Sequence, residues 1–145
     1  CTRSPVTGAA LEDLLERFFD RTLTHAEWTH AAHLAVGAWH VDRHGLEEAL
    51  PRLRIAIRAL NDSHGTKNSE TSGYHETITA AYVRLLAAAL ARATTPLSSR
   101  VETILAGPLA DKTFLFRFWS RDQLMSPAAR AAWLPPDLAP LELGY

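Results

Sequence analysis

The chain has 145 residues, of which 47% are hydrophobic, and its 15 basic and 16 acidic residues leave a formal net charge of −1. This length suits one domain with its own apolar core, and the balanced charge argues against a nucleic-acid or anionic-membrane partner. No stretch has the ~18 apolar residues of a membrane span, and the first residues do not resemble a signal peptide. We therefore expect one cytoplasmic helical domain over residues 1–145, with residues 1–7 and 138–145 peripheral.

Helical periodicity dominates the first half of the chain. Residues 8–21 place leucine and phenylalanine on one face, at the spacing of an amphipathic helix. A second helix is predicted to begin at a capping box, Thr-His-Ala-Glu at 24–27, and to end at Gly45. A third is predicted over 46–63, where Pro51 is tolerable only near the first turn.

The second half continues the helical pattern in shorter pieces. A polar loop over 64–73 precedes a fourth helix over 74–93, which is rich in alanine and leucine. A fifth helix is predicted at 97–106. Further on, Ser120 and Ser126 have the side chain of a helix N-cap, which predicts two short helices.

The proline-rich tail, 134–141, cannot form a helix and is predicted to pack as an extended strap. No convincing alternating strand occurs in the sequence. The fold class is therefore all-α, an up-down helical bundle of four to five main helices with short C-terminal helices and an extended tail. We expect Trp119 or Trp133 to be exposed beside this tail, where either could mark a homodimer contact.

Histidine is concentrated on one stripe of the predicted second helix. The stripe consists of His30, His33, His40 and His44, which share an arc of roughly 80°. His44 would lie about 21 Å along the axis from His30, so one metal ion cannot bind both. Only His30 and His33 form a candidate metal-binding pair, and we interpret His40 and His44 as part of a solvent-facing surface.

The predicted fourth helix supplies another candidate histidine. His75 shares a face with apolar neighbours such as Ile78 and Tyr82, which predicts a buried ring that needs a partner. That partner is either a backbone carbonyl or tyrosine, as in an ordinary core, or a metal ion or substrate. Glu76 either flanks the same site or occupies the first turn because a carboxylate there interacts favourably with the helix dipole.

The predicted topology brings these candidates together. If helices two, three and four run up, down and up, the N-terminal ends of helices two and four meet. His30, His33 and His75 would then converge, and His64 in the loop is either a further ligand or a plain loop residue. Three neutral imidazoles with an open fourth position suit one transition-metal ion, such as zinc, iron or copper.

Several of these segments also occur together in a known pattern. They are WTHAAHL at 28–34, GLEEA at 45–49, YHETIT at 74–79, and the stretch 120–130. This combination resembles a family of small bacterial helical proteins without an assigned activity, over about residues 20–138. The family's histidine motifs match His30, His33, His75 and Glu76, whereas positions 40 and 44 would be tyrosine there. The resemblance supports these site residues and implies no reaction.

The favoured functional interpretation is a metal-dependent enzyme that acts on a small molecule. Its metal ligands would be the three histidines, with Glu76 as the catalytic base and Tyr74 and Thr79 as substrate-binding residues. One alternative is a non-catalytic module that binds a small ligand or senses a metal. Another is a histidine and glutamate acid–base site without a metal.

Overall fold

The structure is a computed structural model that describes residues 8–69 and 72–141; of the segments predicted to be peripheral, residues 1–7 and 142–145 lie outside these ranges. Within them the chain is all-helical, without a strand. The α-helices are α1 Gly8–Phe19, α2 His30–His44, α3 Leu46–Ser63, α4 Glu76–Leu90, α5 Leu97–Leu105, α6 Arg121–Leu124 and α7 Pro127–Ala131, and two short 3-10 segments are Pro108–Ala110 and Phe114–Arg117. In this part of the chain no helix has both the length and the apolar character needed to cross a membrane.

The start of α2 differs from the prediction. Thr24 and Glu27 do form the hydrogen bonds of a capping box, but these bonds close a single turn ahead of the helix. Thr29 instead has the extended conformation of an N-cap, and its hydroxyl accepts a bond from the backbone N–H of Ala32. The helix therefore begins at His30, which makes the first candidate histidine its first residue.

Gly45 alone connects α2 to α3. Its backbone has φ 84° and ψ 167°, a region that only glycine adopts without strain. The helical conformation is therefore interrupted at this residue, where α2 ends and α3 begins. The third helix spans Leu46–Ser63, as predicted, with Pro51 in its second turn. The sequence therefore located this joint correctly from its glycine.

The remaining helices are shorter than their patterns. Arg21 has φ 65°, and α1 ends at Phe19 rather than at residue 21. His75 is extended and acts as the N-cap of α4, which therefore spans Glu76–Leu90 rather than 74–93. Both differences arise because the periodicity of side chains continues for two or three residues beyond the helical backbone.

The most buried helix of the core is α2, which packs against α1, α3, α4 and α5. Its side chains are buried from Leu34 through Ala38 without interruption. At Gly37 a Cβ atom would lie 2.9 Å from Cδ1 of Leu86, so glycine lets α2 and α4 approach closely there. This close approach determines the shape of the space between the two helices.

The C-terminal segments pack against the core through caps and tail contacts. Ser120 and Ser126 cap α6 and α7, as predicted. No helix follows α7 in the described tail, where the indole N–H of Trp119 donates to the carbonyl of Leu134 at 2.8 Å. Trp119 is fully buried, so the expectation that it is exposed was wrong; Trp133 packs edge-on against it and is half-buried.

Candidate functional site

A cavity of about 370 Å³ lies between α2, α3 and α4. Residues of the C-terminal half, from 112–116 and 124–125, complete its wall. Most of the lining is aliphatic, and it includes Leu34, Leu53, Ile57, Val83, Leu86 and Leu124. Five side chains with polar groups also line it, namely His30, His33, Thr79, Tyr82 and Lys112. The cavity therefore combines a mostly apolar wall with a few hydrogen-bonding groups.

His30 and His33 each use one ring nitrogen to anchor the ring to the backbone. Nε2 of His30 lies 2.8 Å from the carbonyl oxygen of Leu109, and Nδ1 of His33 lies 2.6 Å from that of Thr29. A carbonyl oxygen only accepts, so these two nitrogens carry the protons. On a ring that carries one proton, Nδ1 of His30 or Nε2 of His33 is consequently an acceptor, and no partner for either atom occurs within the described residues.

Protein surroundings keep His33 neutral. Its ring stacks on Trp28 with the centroids 3.7 Å apart, and the residue is exposed to solvent as well as lining the cavity. Desolvation by the surrounding protein nevertheless lowers the pKa of His33 to about 4, against the opposing effect of its bond to Thr29. At neutral pH this imidazole therefore presents a lone pair rather than a charge.

Tyr82 contributes a polar atom that has no partner. Its ring meets that of His30 edge-on, with centroids 5.5 Å apart. The hydroxyl is buried and makes no hydrogen bond within the described part of the chain. Burial, and secondarily the charge of Asp111, raises the pKa of Tyr82 to about 12. The hydroxyl thus stays protonated and remains a donor without an acceptor.

His75 lies away from the cavity wall. Its Nε2 donates to the carbonyl of Leu124 at 2.6 Å, and its Nδ1 accepts from the backbone N–H of Ile78 at 3.1 Å. Burial lowers the pKa of His75, which keeps the ring neutral as this pair of bonds requires. Both nitrogens therefore serve to cap α4 and to hold α6.

Glu76 and Tyr74 form a separate polar cluster with α3. The guanidinium of Arg54 donates two hydrogen bonds of 2.8 Å to the carboxylate of Glu76, and the Tyr74 hydroxyl donates a third at 2.8 Å. Arg54 is the main cause of the lowered pKa of Glu76, so this carboxylate stays charged and paired. Neither Glu76 nor Tyr74 lines the cavity, whereas Thr79 does.

Three other histidines, at positions 40, 44 and 64, lie outside the cavity lining. His40 is only 2% exposed and donates from Nδ1 to the carbonyl of Val36, so its assignment to a solvent-facing surface was wrong. It is buried because Phe18 of α1 covers this side of α2. His44 is half-buried beside it. His64 follows the end of α3 and donates from Nε2 to a loop carbonyl, that of Leu23.

The structure thus brings together part of the predicted metal site. His30 and His33 share the cavity wall, but both nitrogens of His75 are bonded to the backbone. Among residues 8–69 and 72–141, no group of three or more His, Cys, Asp or Glu side chains could hold a metal ion. The three-histidine ligand set does not fit this arrangement, and binding of zinc, iron or copper stays a prediction.

Sequence patterns missed two of the cavity's polar residues. Tyr82 lies one turn after Thr79, on the helix face that was expected to be apolar core. Its position beside a predicted substrate-binding residue could have indicated that it lines the same site. Lys112 comes from a loop between short helical segments, and nothing in its sequence neighbourhood indicated a site.

No protein-family model, curated protein or solved structure matches this chain. The resemblance to small bacterial helical proteins consequently rests on the motifs alone. A functional conclusion must therefore come from the cavity and from the chemistry of its lining.

Proposed function

We propose that this protein binds a small, mostly apolar molecule in the cavity between α2, α3 and α4. The observation that carries the proposal is a cavity of about 370 Å³ whose aliphatic wall is interrupted by a few polar side chains. Binding sites for small molecules usually have this composition, because apolar contact supplies affinity and the polar groups fix orientation.

The volume indicates the size of the molecule. An apolar cavity of about 150 Å³ is enough to hold benzene. The present cavity is more than twice that size, which suits a bicyclic compound or a ring that carries a short chain. Longer lipids would have to extend out of its mouth.

The chemistry of His33 favours binding over acid–base catalysis. A general base works best when its pKa lies near the working pH. The pKa of His33 is about 4, so at neutral pH it is a hydrogen-bond acceptor and a weak base. Glu76 and His75, the predicted proton carriers, do not line the cavity: Arg54 holds the carboxylate, and both nitrogens of His75 are bonded to the backbone.

Replacement of Ile78 by tryptophan tests the proposal. Ile78 lines the cavity and is half-buried, so a larger ring at this position fills the space that a ligand would use. We expect indole, used as a bicyclic probe in a calorimetric titration, to bind the parent protein and to bind Ile78→Trp at least 10-fold more weakly, a loss of about 1.4 kcal/mol.

Ile55→Trp provides the matched control, because Ile55 is 72% exposed on α3 and does not line the cavity. This variant should bind indole like the parent. Circular dichroism should show the same helical content in all three proteins. Absence of indole binding by the parent, or equal binding by Ile78→Trp, would contradict the proposal.

The second candidate is a metal-dependent enzyme that acts on a small molecule. One observation favours it: each imidazole of the His30 and His33 pair donates one N–H to a backbone carbonyl, as metal-bound histidines commonly do. Elemental analysis of protein purified without a histidine tag separates the candidates. About one equivalent of zinc, iron or copper favours the enzyme, whereas metal-free protein that still binds indole favours the apolar site.

We also propose the up-down order of α2, α3 and α4 and an extended proline-rich tail. The one-residue joint at Gly45 supports the order, since helices joined by a short loop are usually antiparallel neighbours. Residues from the first half of both α2 and α4 line the same cavity, which agrees with their N-terminal ends lying at one end of the bundle. The bond from the Leu138 N–H to the carbonyl of Phe118 supports a tail that follows the core.

A further inference from the structure

We propose that the ligand of this cavity carries a hydroxyl group on its apolar body, as an alcohol or a phenol, and that His30, His33 and Tyr82 recognise this group. The inference rests on the proposed binding function and adds the chemical class of the ligand. Three observations support it: two fixed acceptors on α2, one donor without a partner on α4, and the edge-on contact of the His30 and Tyr82 rings in the lining of one cavity.

The two histidines favour a ligand that donates a hydrogen bond. Backbone carbonyls place a proton on Nε2 of His30 and on Nδ1 of His33, so on a ring with one proton the other nitrogen can only accept. The two residues lie on adjacent turns of one helix, and both line the cavity. An O–H of the ligand is a suitable partner for either lone pair.

The Tyr82 hydroxyl needs a ligand atom that accepts a hydrogen bond. Its hydroxyl is buried without an acceptor within the described residues, although its ring lies against His30. A hydroxyl oxygen is both donor and acceptor, so one such group can donate to a histidine and accept from Tyr82 after a small side-chain rotation. It is the smallest group that satisfies both kinds of protein atom.

Charged ligand groups fit this wall less well. A carboxylate only accepts, so it would meet the lone pairs of two imidazoles without offering a proton. An ammonium group only donates and would leave the Tyr82 hydroxyl unpaired. Lys112 lines the cavity and would attract an anion, but it is exposed, and a cation in solvent attracts a carboxylate only weakly.

A matched set of probes tests the inference. We expect para-propylphenol to bind the parent about 10-fold more tightly than para-propylanisole, since the ether cannot donate and each lost hydrogen bond weakens binding several-fold. The third probe, para-propylbenzoate, should bind more weakly than the phenol. Calorimetric titrations at neutral pH in the presence of a chelator give the three dissociation constants and exclude a contribution from bound metal.

Two variants identify the recognising groups. His33→Phe removes an acceptor that only the phenol can use, so it should reduce the preference for phenol over anisole to threefold or less while the affinity for the anisole stays within threefold of the parent. Tyr82→Phe removes a donor to the oxygen atom that both probes carry, so it should weaken the binding of both several-fold and keep the preference. His44→Phe is the matched control, because His44 lies on the same helix but does not line the cavity, and it should keep the full preference. The Tyr82 variant removes only one oxygen atom, so it preserves the fold even if the histidine variant does not.

The outcomes separate this inference from the function on which it rests. Equal binding of phenol and anisole, or tightest binding of the benzoate, would overturn the hydroxyl assignment and leave an apolar binding site. Failure of all three probes and of indole to bind the parent would overturn both. A full preference that survives in His33→Phe, or an affinity for both probes that is unchanged in Tyr82→Phe, would also contradict the proposed recognition.

Discussion

Two tyrosines, Tyr74 and Tyr82, illustrate how the partner of a single hydroxyl group changes the role of a residue. The Tyr74 hydroxyl donates to Glu76 at 2.8 Å, within a cluster that Arg54 completes. The Tyr82 hydroxyl has no acceptor in the described structure. A buried donor without a partner costs about 1–3 kcal/mol of stability, whereas a satisfied one contributes about 1 kcal/mol. The two hydroxyls should therefore affect the free energy of unfolding with opposite sign.

We predict that Tyr82→Phe raises the free energy of unfolding of the ligand-free protein by about 1 kcal/mol, because it removes an unpaired buried hydroxyl. Tyr74→Phe is the matched comparison and should lower it by about 1 kcal/mol, because it breaks a bond to a charged carboxylate. Urea unfolding followed by circular dichroism measures both. A loss of stability in Tyr82→Phe as large as that in Tyr74→Phe would show that the Tyr82 hydroxyl has a partner.

The candidate residues could be found from the sequence to different degrees. His30 and His33 stood out because two histidines one turn apart on a helix share a face, and this relation depends on local geometry alone. The burial of His75 was also evident from its apolar neighbours. Its partner was not, since the carbonyl of Leu124 lies 49 residues further along the chain. Long-range backbone contacts of this kind have no local sequence pattern.

At the scale of the element, α2 has two candidate N-caps and uses the second. Thr29 bonds to the N–H of Ala32 and starts the helix that carries both cavity histidines, whereas Thr24 closes only the turn before it. We predict that Thr29→Ala lowers the free energy of unfolding by about 1 kcal/mol, the usual effect of losing an N-cap.

Thr24→Ala is the matched variant, because it removes the same hydroxyl from a turn that does not lead into a helix. It should lower the free energy of unfolding by less than half as much as Thr29→Ala. Chemical denaturation of the three proteins under one set of conditions provides the comparison. An equal or larger effect at Thr24 would mean that this turn, and not Thr29, determines the start of α2.

Helix positions were largely predictable because the periodicity of apolar residues and the residues that begin or end a helix are local features of the sequence. The glycine at 45 and the serines at 120 and 126 marked helix ends correctly. The start of α2 was not predictable, since the threonines at 24 and 29 both have a capping side chain. Which of them caps depends on where the chain turns after α1, and that turn is set by packing.

At the scale of the whole molecule, the cavity and the core arise from contacts between distant segments. The side of α2 that holds His40 looked solvent-facing on a single helix, but Phe18 of α1 covers it. The cavity likewise depends on the close approach of Gly37 to Leu86 and on side chains contributed by 112–116. Contacts among three or more separate segments depend on the tertiary packing, and helix periodicity carries no information about that packing.

The burial of neutral histidines gives the whole fold a pH dependence. Burial is the main cause of the lowered pKa of both His40 and His75 relative to the ordinary value of 6.5. In the unfolded chain each ring recovers that ordinary value. Below pH 6.5 the unfolded state therefore binds protons that the folded state does not, and the free energy of unfolding decreases as the pH falls. Above pH 6.5 both states are neutral at these rings and the contribution is fully present.

We predict that the free energy of unfolding falls by about 2 to 3 kcal/mol between about pH 7.5 and about pH 5.5. His40 and His75 contribute roughly 1 kcal/mol each, and His33, whose pKa is also lowered but whose ring is exposed to solvent, contributes less. Urea unfolding across this range measures the decrease. His40→Gln keeps a donor for the carbonyl of Val36 but cannot titrate, so it should remove between about a third and a half of the decrease whatever its effect on absolute stability. An unchanged slope in this variant would mean that His40 accepts a proton in the folded state, and a flat profile in the parent would mean that all three rings do. The carboxylates whose pKa is lowered, such as that of Glu76, lose their contribution only below their ordinary value near 4.5, which keeps the two effects apart.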